Sequence, residues 1–309
     1  MDLKELNYLV TIADEGSISR AAEKLFMAQS SLSQALQVFE AELGTPIFIR
    51  TSRGVRPTSS GEAFLSHARQ ILKHYHLAQS EVWDIEEVNG GTVKLGISTF
   101  RGTYLLPPVL ARFRREHPHV HVEIWEQDSM ELENLILEGL LDIALIAAPP
   151  VRLKHNVEPL LRDEILIVAT KNHPVMKAAK PCPNNRNILH IDFCDAAPFE
   201  FILGPPNTVL GRIARREFRN CGMEPVGKNT MVSANLAAAM ARQGIGLAVT
   251  YQSCIVSDPD VCYLRIGNHG IFLDLALVYP SGEYRSKATH ALAEIFRRET
   301  IPPKSLFTD

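Results

Sequence analysis

The sequence predicts an α + α/β chain, and three observations carry that reading. Nearly all of the first third places apolar side chains at helical spacing. Asn89-Gly90-Gly91 is the one obvious joint. Beyond it, strand-like and helical runs alternate to the end of the chain. At roughly 150 residues per domain, 309 residues make about two domains. Hydrophobic residues at 46% and charged residues at 22% are ordinary for globular proteins, which excludes disorder over most of the length. A net charge of -3 excludes a protein that coats nucleic acid from end to end, but leaves room for a local DNA-binding surface. The start MDLKELNYLV lacks the basic-then-apolar pattern of a signal peptide, and no run approaches 18 apolar residues. A cytoplasmic chain is expected. Five cysteines without a C-x-x-C pair (Cys182, Cys194, Cys221, Cys254 and Cys262) point to reduced, mostly buried thiols rather than a disulfide framework. Cys182 and Cys194 are the pair to check for redox sensing.

Residues 2–14 place Leu3, Leu6, Leu9, Val10 and Ala13 on one helical stripe. Gly16 closes that helix and Ser17 caps the next. The second helix, about 18–26, turns Ala21, Ala22 and Leu25 inward. After a turn at Phe26-Met27-Ala28, a third runs from Gln29 to Leu43 with Leu32, Leu36, Phe39 and Leu43 as its buried stripe, and Gly44 ends it. Its other face carries Ser30, Ser33, Gln34 and Gln37. Two short helices joined by a tight turn, the second with a row of hydrogen-bonding side chains, match a helix-turn-helix whose polar row reads base edges. A surface helix with a polar face fits these residues equally well.

The residues after Gly44 favour the helix-turn-helix. Thr45–Arg50 and Thr51–Thr58 read as two short extended runs around a turn, a wing bearing Arg50, Arg53 and Arg56. Residues 44–73 hold five basic residues and one acid, Glu62, so positive charge gathers beside the reading helix, where phosphates would lie. The run from Ser17 to Phe64 resembles the winged helix-turn-helix of LysR-type transcriptional regulators. The matching features are Ala21-Ala22, Leu25, Gln29, Leu32-Ser33, Leu36, Glu40, Leu43-Gly44, Phe48-Ile49-Arg50, Arg56, Thr58 and Gly61. Two departures bear on binding strength and salt dependence. Ala28 stands where the family often has a capping Ser, and Gln34, Gln37 and Val38 are uncharged where basic residues are common.

Ser59 and Glu62 form an S-x-x-E capping box, predicting a helix from near residue 60 to about Val88. Phe64, Ala68, Ile71, Tyr75, Ala78, Val82 and Ile85 form an a/d seam along it. That seam either packs on the chain's own domain or pairs with a second chain. The resemblance implies the second, since in this family the linker helix builds the dimer.

In the remainder, strands are expected at 92–98, 119–127, 142–147, 157–161, 164–170, 199–203, 226–231, 245–250, 261–265 and 273–279. Helices are expected at 103–116 (Pro107 and Pro108 in its first turns), 129–140, 206–221, 233–243 and 284–299. This alternation predicts mostly parallel sheet, in one large or two small lobes. The resemblance, carried here by Gly96, Ser98, Thr99, FILGPP (201–206) and ANLAAAMARQGIGLAV (234–249), implies two. It implies a periplasmic-binding-protein-like (type 2) effector domain with a ligand between the lobes. The implied division is a winged helix-turn-helix at 1–58, a dimerisation helix at 59–89 and an effector domain at 90–309. Within the last, lobe I takes about 90–164 and 267–301, and lobe II about 165–266.

Ligands of open α/β sheets sit beyond the carboxyl ends of strands, near helix starts. That position falls to Ser98, Thr99, Phe100 and Arg101 after the first strand, and to Gln127, Asp128 and Ser129 after the second. Gly204 and Pro205 hold it in the other lobe, with Ser233 and Asn235 opening a helix. Hydroxyls and amides at helix starts suit a carboxylate or another small anion, and the polarity of these positions leans towards a small organic anion or an amino-acid-like molecule. Arg101 either adds a charge-assisted contact or stands exposed in a loop.

Two rival functions fit less well. An enzyme lacks its motifs here: no G-x-S-x-G, G-x-x-x-x-G-K-[ST], H-E-x-x-H or G-x-G-x-x-G occurs. His119 and His121 are open to a metal or, more plainly, to solvent at a strand start. A solute-binding transport protein would suit the back end alone, not the reading head. The expected function is therefore that of a LysR-type regulator, with no cofactor other than a small-molecule inducer. Arg20, Gln29, Ser30, Ser31, Ser33 and Gln34 would meet promoter DNA, with Arg50, Arg53 and Arg56 on its backbone or minor groove. The resemblance implies a dimer of dimers that bends DNA, and RNA polymerase is a further candidate partner.

Overall fold

A computed structural model describes residues 2–52, 54–85, 90–182, 185–282 and 284–300. Helix α1 (Leu3–Glu15) starts at a capping box. The Asp2 carboxylate accepts from the Glu5 amide, and the Asp2 amide donates to Glu5, both at 2.8 Å. Gly16 ends α1 in the left-handed region at φ +58°, a conformation that glycine adopts without the Cβ penalty. Ser17 caps α2 (Ile18–Lys24), and α3 runs over Gln29–Leu43 as expected. The wing is an antiparallel ribbon of β1 (Phe48–Thr51) and β2 (Gly54–Pro57). Ile12, Leu32 and Ile47 are fully buried where these elements meet. Leu43 is not part of that core. It is 42% exposed, because α3 overruns the packed elements by its last turn.

Helix α4 (Ser59–Ile85) begins one residue earlier than the Ser59 box predicts, and its cap is Thr58. The Thr58 hydroxyl accepts from the Gly61 amide at 2.9 Å and donates to the Pro46 carbonyl, so one side chain caps the helix and anchors the wing. A Cβ on Gly61 would stand 2.0 Å from the Ile47 carbonyl oxygen, so only glycine lets α4 approach the backbone that leads into β1. The predicted seam divides. Phe64 stacks edge-to-face on Phe39 and Ala68 is buried, both inside the chain's own N-terminal core. Ile71, Tyr75, Ala78 and Val82 face outward, while the Ile85 side chain lies outside the described residues. Near its far end α4 is held by Asp84, whose carboxylate accepts from the Tyr284 hydroxyl and the Lys287 amide.

The chain goes on through β3 (Gly91–Ile97), α5 (Thr99–Glu116), β4 (Val120–Glu126), α6 (Ser129–Glu138), β5 (Ile143–Ala148), β6 (Val157–Thr170), β7 (Lys180–Cys182), β8 (Asn185–Ile191) and α7 (Phe193–Ala196). It continues with α8 (Val209–Asn220), α9 (Ala234–Arg242), β9 (Ala248–Tyr251), β10 (Val261–Ile266), β11 (Ile271–Val278) and α10 (Lys287–Glu299). The nine strands join in the order β4-β3-β5-β11-β6-β10-β8-β7, with β9 also on β6. The sheet is mixed rather than mostly parallel. β6 and β11 run antiparallel to each other, with Ile165 opposite Ile271, because the chain passes between the lobes once in each direction. Lobe I packs α5 and α10 on β3, β5 and β11. Lobe II packs α7, α8 and α9 on the far half of β6 with β9 and β10.

Other expectations are corrected. β6 is one 14-residue strand, not two. Residues 199–203 and 226–231 form only single bridges, Glu200 to Val226 and Phe201 to Leu247. β7 and β8 were not anticipated. Helix α5 starts at Thr99, which buries Phe100 and Arg101 and leaves Pro107 and Pro108 midway along it. Cys194 pairs not with Cys182 but with Cys221, as a disulfide with Cα atoms 5.3 Å apart that ties α7 to the end of α8. Cys182 is free and buried. Among the described residues no helix is long and apolar enough to cross a membrane.

Candidate nucleic-acid interface and effector cleft

The polar row of α3 stands clear of the core: Gln29, Ser30, Ser31, Gln34 and Gln37 are exposed and Ser33 is half-buried. Ala28 gives α3 no side-chain cap, so the first amides of the helix point outward and open to an anion such as a phosphate. Gln29 accepts from the Ser19 hydroxyl at 3.0 Å, fixing α3 against α2. The Arg20 guanidinium donates to the Glu15 carbonyl, which holds this exposed side chain at the end of α1. In the wing Arg50 pairs with Val55 and Arg56 with Ile49. Alternation along the ribbon sets the two exposed arginines on opposite faces. Arg53 lies outside the described residues. Glu40 plays a part that its sequence match alone did not reveal: one carboxylate oxygen accepts from the Ile47 and Phe48 amides at 2.7 and 3.0 Å, fastening the wing to α3.

Between the lobes lies a cavity of about 420 Å³ at which four helices begin. Ser98 precedes α5 in an extended conformation, its hydroxyl unused in capping. Asp128 caps α6, Thr208 caps α8 and Ser233 caps α9. Thr99 donates to Glu126 at 3.1 Å across the mouth of α5 and β4. The Asn235 carboxamide joins the lobes, accepting from the Tyr104 hydroxyl at 3.3 Å and donating to Thr103 at 3.4 Å.

Arg101 is the unusual member. It is 2% exposed, with its guanidinium 3.8 Å from the centre of the Tyr251 ring. Its Nε lies 3.9 Å from Asp163, beyond hydrogen-bond distance, and neither Nε nor Nη2 makes a hydrogen bond among the described residues. Asp163 is occupied by the Ser253 amide and hydroxyl at 2.9 and 2.6 Å, and burial raises its carboxyl above its ordinary value.

The cavity brings together Ser98, Thr99, Phe100, Arg101, Asp128, Ser129, Pro205, Ser233 and Asn235, with Gln127 beside them. Gly204 is outside its lining, because the chain stays inside lobe II until Pro205 and the Gly204 carbonyl is taken by Arg215. Phe100 touches the cavity but is chiefly part of the lobe II core, against Tyr104 and Tyr251. Arg101 is a buried helical residue, not an exposed loop one. The sequence reading missed Glu126, Thr208, Val209, Leu210, Ala234 and Tyr251. Of these only Thr208 left a signal, a hydroxyl one residue ahead of a helical stripe. Among the described residues no group of three His, Cys, Asp or Glu side chains is placed to hold a metal.

A winged reading head joined by one long helix to a two-lobed domain with a cleft defines a transcriptional regulator that carries its own sensor. The family model "Bacterial regulatory helix-turn-helix protein, lysR family" matches residues 3–62, and "LysR substrate binding domain" matches residues 86–300. The chain belongs to the LysR family of DNA-binding transcriptional regulators with an effector-binding domain. It is 28% identical to the uncharacterised HTH-type transcriptional regulator YcgK of Bacillus subtilis (strain 168), over 96% of this chain and 94% of the relative. Among solved structures it is similar to a full-length OxyR variant from Pseudomonas aeruginosa (TM-score 0.69, 23% identity, 98% of this chain and 100% of the other). It is also similar to full-length CbnR complexed with its target DNA (TM-score 0.64, 20% identity, 97% and 100%).

Proposed function

We propose that this regulator acts in the cytoplasm as an oligomer, and that a small polar molecule in the interlobe cleft sets its hold on promoter DNA. The observation that supports this best is the cleft itself: four helix starts and a buried, incompletely satisfied arginine around one cavity. In this reading Gln29, Ser30, Ser31, Ser33 and Gln34 meet base edges and phosphates, and Arg20, Arg50, Arg53 and Arg56 grip the backbone or minor groove. The ligand favours one arrangement of the lobes and, through α4, one spacing of the reading heads. Promoter DNA is the partner, RNA polymerase a second one, and the chain performs no catalysis of its own.

The test joins both ends. Genomic footprinting finds a bound promoter, and a metabolite screen by thermal shift on the full chain finds a ligand. At 100 times its dissociation constant, a ligand adds about 2.7 kcal/mol of stability. The expected result is a ligand that alters the footprint and loses that effect in Thr99→Val, with ligand-free DNA affinity unchanged. A full response in Thr99→Val places the pocket elsewhere.

A further inference from the structure

The charges around the cleft do not suit a plain anion. Among the described residues Arg101 is the only Lys, Arg or His side chain in its lining, and Asp163 stands 3.9 Å behind it. Two further carboxylates, Glu126 and Asp128, line the same cavity, and neither makes an ion pair among the described residues. Asp128 commits one oxygen to the Met130 and Glu131 amides. Glu126 accepts from the Thr99 hydroxyl. A molecule bearing negative charge alone would meet one guanidinium, already facing a carboxylate, and two uncompensated acids. A molecule bearing positive charge alone would meet the Arg101 guanidinium and place a cation before four helix starts, where the backbone dipoles favour anions.

A ligand with both charges satisfies both sides. The Glu126 carboxylate lies against the first turn of α5, bonded to Thr99 and 3.8 Å from the Cβ position of Gly102, so the acidic pole adjoins the turn that carries Arg101. In a cavity of about 420 Å³ the two charges of one small ligand must lie close together, and groups borne on the same carbon meet that demand while leaving room for a side chain. Hydroxyls and amides line the helix starts, and the remaining wall, formed by Phe100, Pro205, Val209, Leu210, Ala234 and Tyr251, is apolar or aromatic. We infer that the effector, if it occupies this cleft as proposed above, is a small zwitterion: an α-amino acid with an apolar side chain. Its carboxylate faces Arg101 and the start of α5, its ammonium faces Glu126 and Asp128, and its side chain lies on the aromatic and aliphatic wall.

The experiment is isothermal titration of the full-length protein with two matched sets. One is L-leucine, 4-methylpentanoate and 3-methylbutylamine; the other is L-phenylalanine, 3-phenylpropanoate and 2-phenylethylamine. An amino acid that binds at least tenfold tighter than both its singly charged analogues supports the inference. So does a tenfold or greater loss of that affinity in Glu126→Gln, a variant of an exposed side chain that leaves the melting temperature of the free protein unchanged. Arg101→Lys should weaken amino acid and carboxylate together, and its own melting curve reports whether it folds. A carboxylate that binds as tightly as its amino acid, with Thr99→Val abolishing both, overturns the zwitterion and keeps the cleft. Failure of all six compounds overturns it as well. Tight binding untouched by Thr99→Val, Glu126→Gln and Arg101→Lys overturns the cleft reading itself.

Discussion

At the scale of single residues, Gln34 and Ser33 are where base reading separates from backbone grip. Both sit on the polar row of α3, not on the wing. A good side-chain-to-base pair discriminates by about 1–3 kcal/mol, whereas phosphate contacts act on every sequence alike. Gln34→Ala and Ser33→Ala should therefore weaken binding to the regulated site by about tenfold or more, with non-specific duplex affected little. Fluorescence anisotropy at one fixed salt concentration measures both, and equal losses would remove the base-reading role. Asp163 gives a second prediction. Burial raises its carboxyl, so between the unfolded Asp value near 3.8 and its higher folded value the native chain binds the proton that the unfolded chain has released. Its contribution is thus fully present below the unfolded value and is lost as pH rises through the folded one. Asp163→Asn removes that dependence. Plotted against pH from 3.5 to 6, wild-type stability minus that of the variant should fall with rising pH, by at most about 1.4 kcal/mol per unit. A flat difference would mean that Asp163 titrates normally.

At the scale of elements, the disulfide between α7 and the end of α8 closes a 27-residue separation. In the chain-entropy account such a loop contributes about 3–4 kcal/mol. Chemical denaturation of the oxidised protein should show about that much more stability than Cys194→Ser under the same conditions. Identical midpoints would mean that the link adds nothing. The pairing itself was not legible, because α7 was not anticipated and the odd count of thiols pointed to a reduced chain. The N-terminal third was legible because its signals are local: Gly16, Ser17 and Gly44 stop and start helices within a few residues of themselves. Even there the cap of α4 was assigned one residue late, because Thr58 also holds Pro46, a contact the local pattern does not contain. The strands at 199–203 and 226–231 were over-read because whether an apolar run becomes a strand depends on a distant partner, and these runs make only isolated bridges, two for the first and one for the second. Three of the four helix starts of the cleft were legible, at Ser98-Thr99, Asp128-Ser129 and Ser233, while the Thr208 cap of α8 was missed. The burial of Arg101 was not, since it depends on Tyr251 and Asp163, which reach it only through the folded sheet.

At the scale of the whole molecule, the exposed part of the α4 seam asks for a second chain. Ile71, Tyr75 and Val82 are 45%, 44% and 56% exposed, and Leu3 of α1 lies beside Ile71 to widen the strip. Phe64 and Ala68, nearer the start of the helix, are already taken by the N-terminal core, so one end of the seam fixes the reading head to α4 and the other is free for a partner. The same helix touches lobe I. Arg69 bonds Asp14 at 2.6 Å and lies 3.8 Å from Glu138, on the last turn of the helix whose first turn lines the cleft. A partner along α4 therefore stands where reading head and sensor both lean. Ile71→Lys with Val82→Lys would bring four ammonium groups into a two-fold apolar interface, where unpaired charge is costly. Because both side chains are exposed in the single chain, its own fold should keep its stability. The expected outcome is a monomer in sedimentation, a melting temperature little changed from that of a dilute wild-type sample, and a loss of roughly 10²–10⁴ in operator affinity as two linked reading heads become one. A variant that sediments like the wild type would show that the exposed seam is not the contact, and would move the dimer to the effector domains.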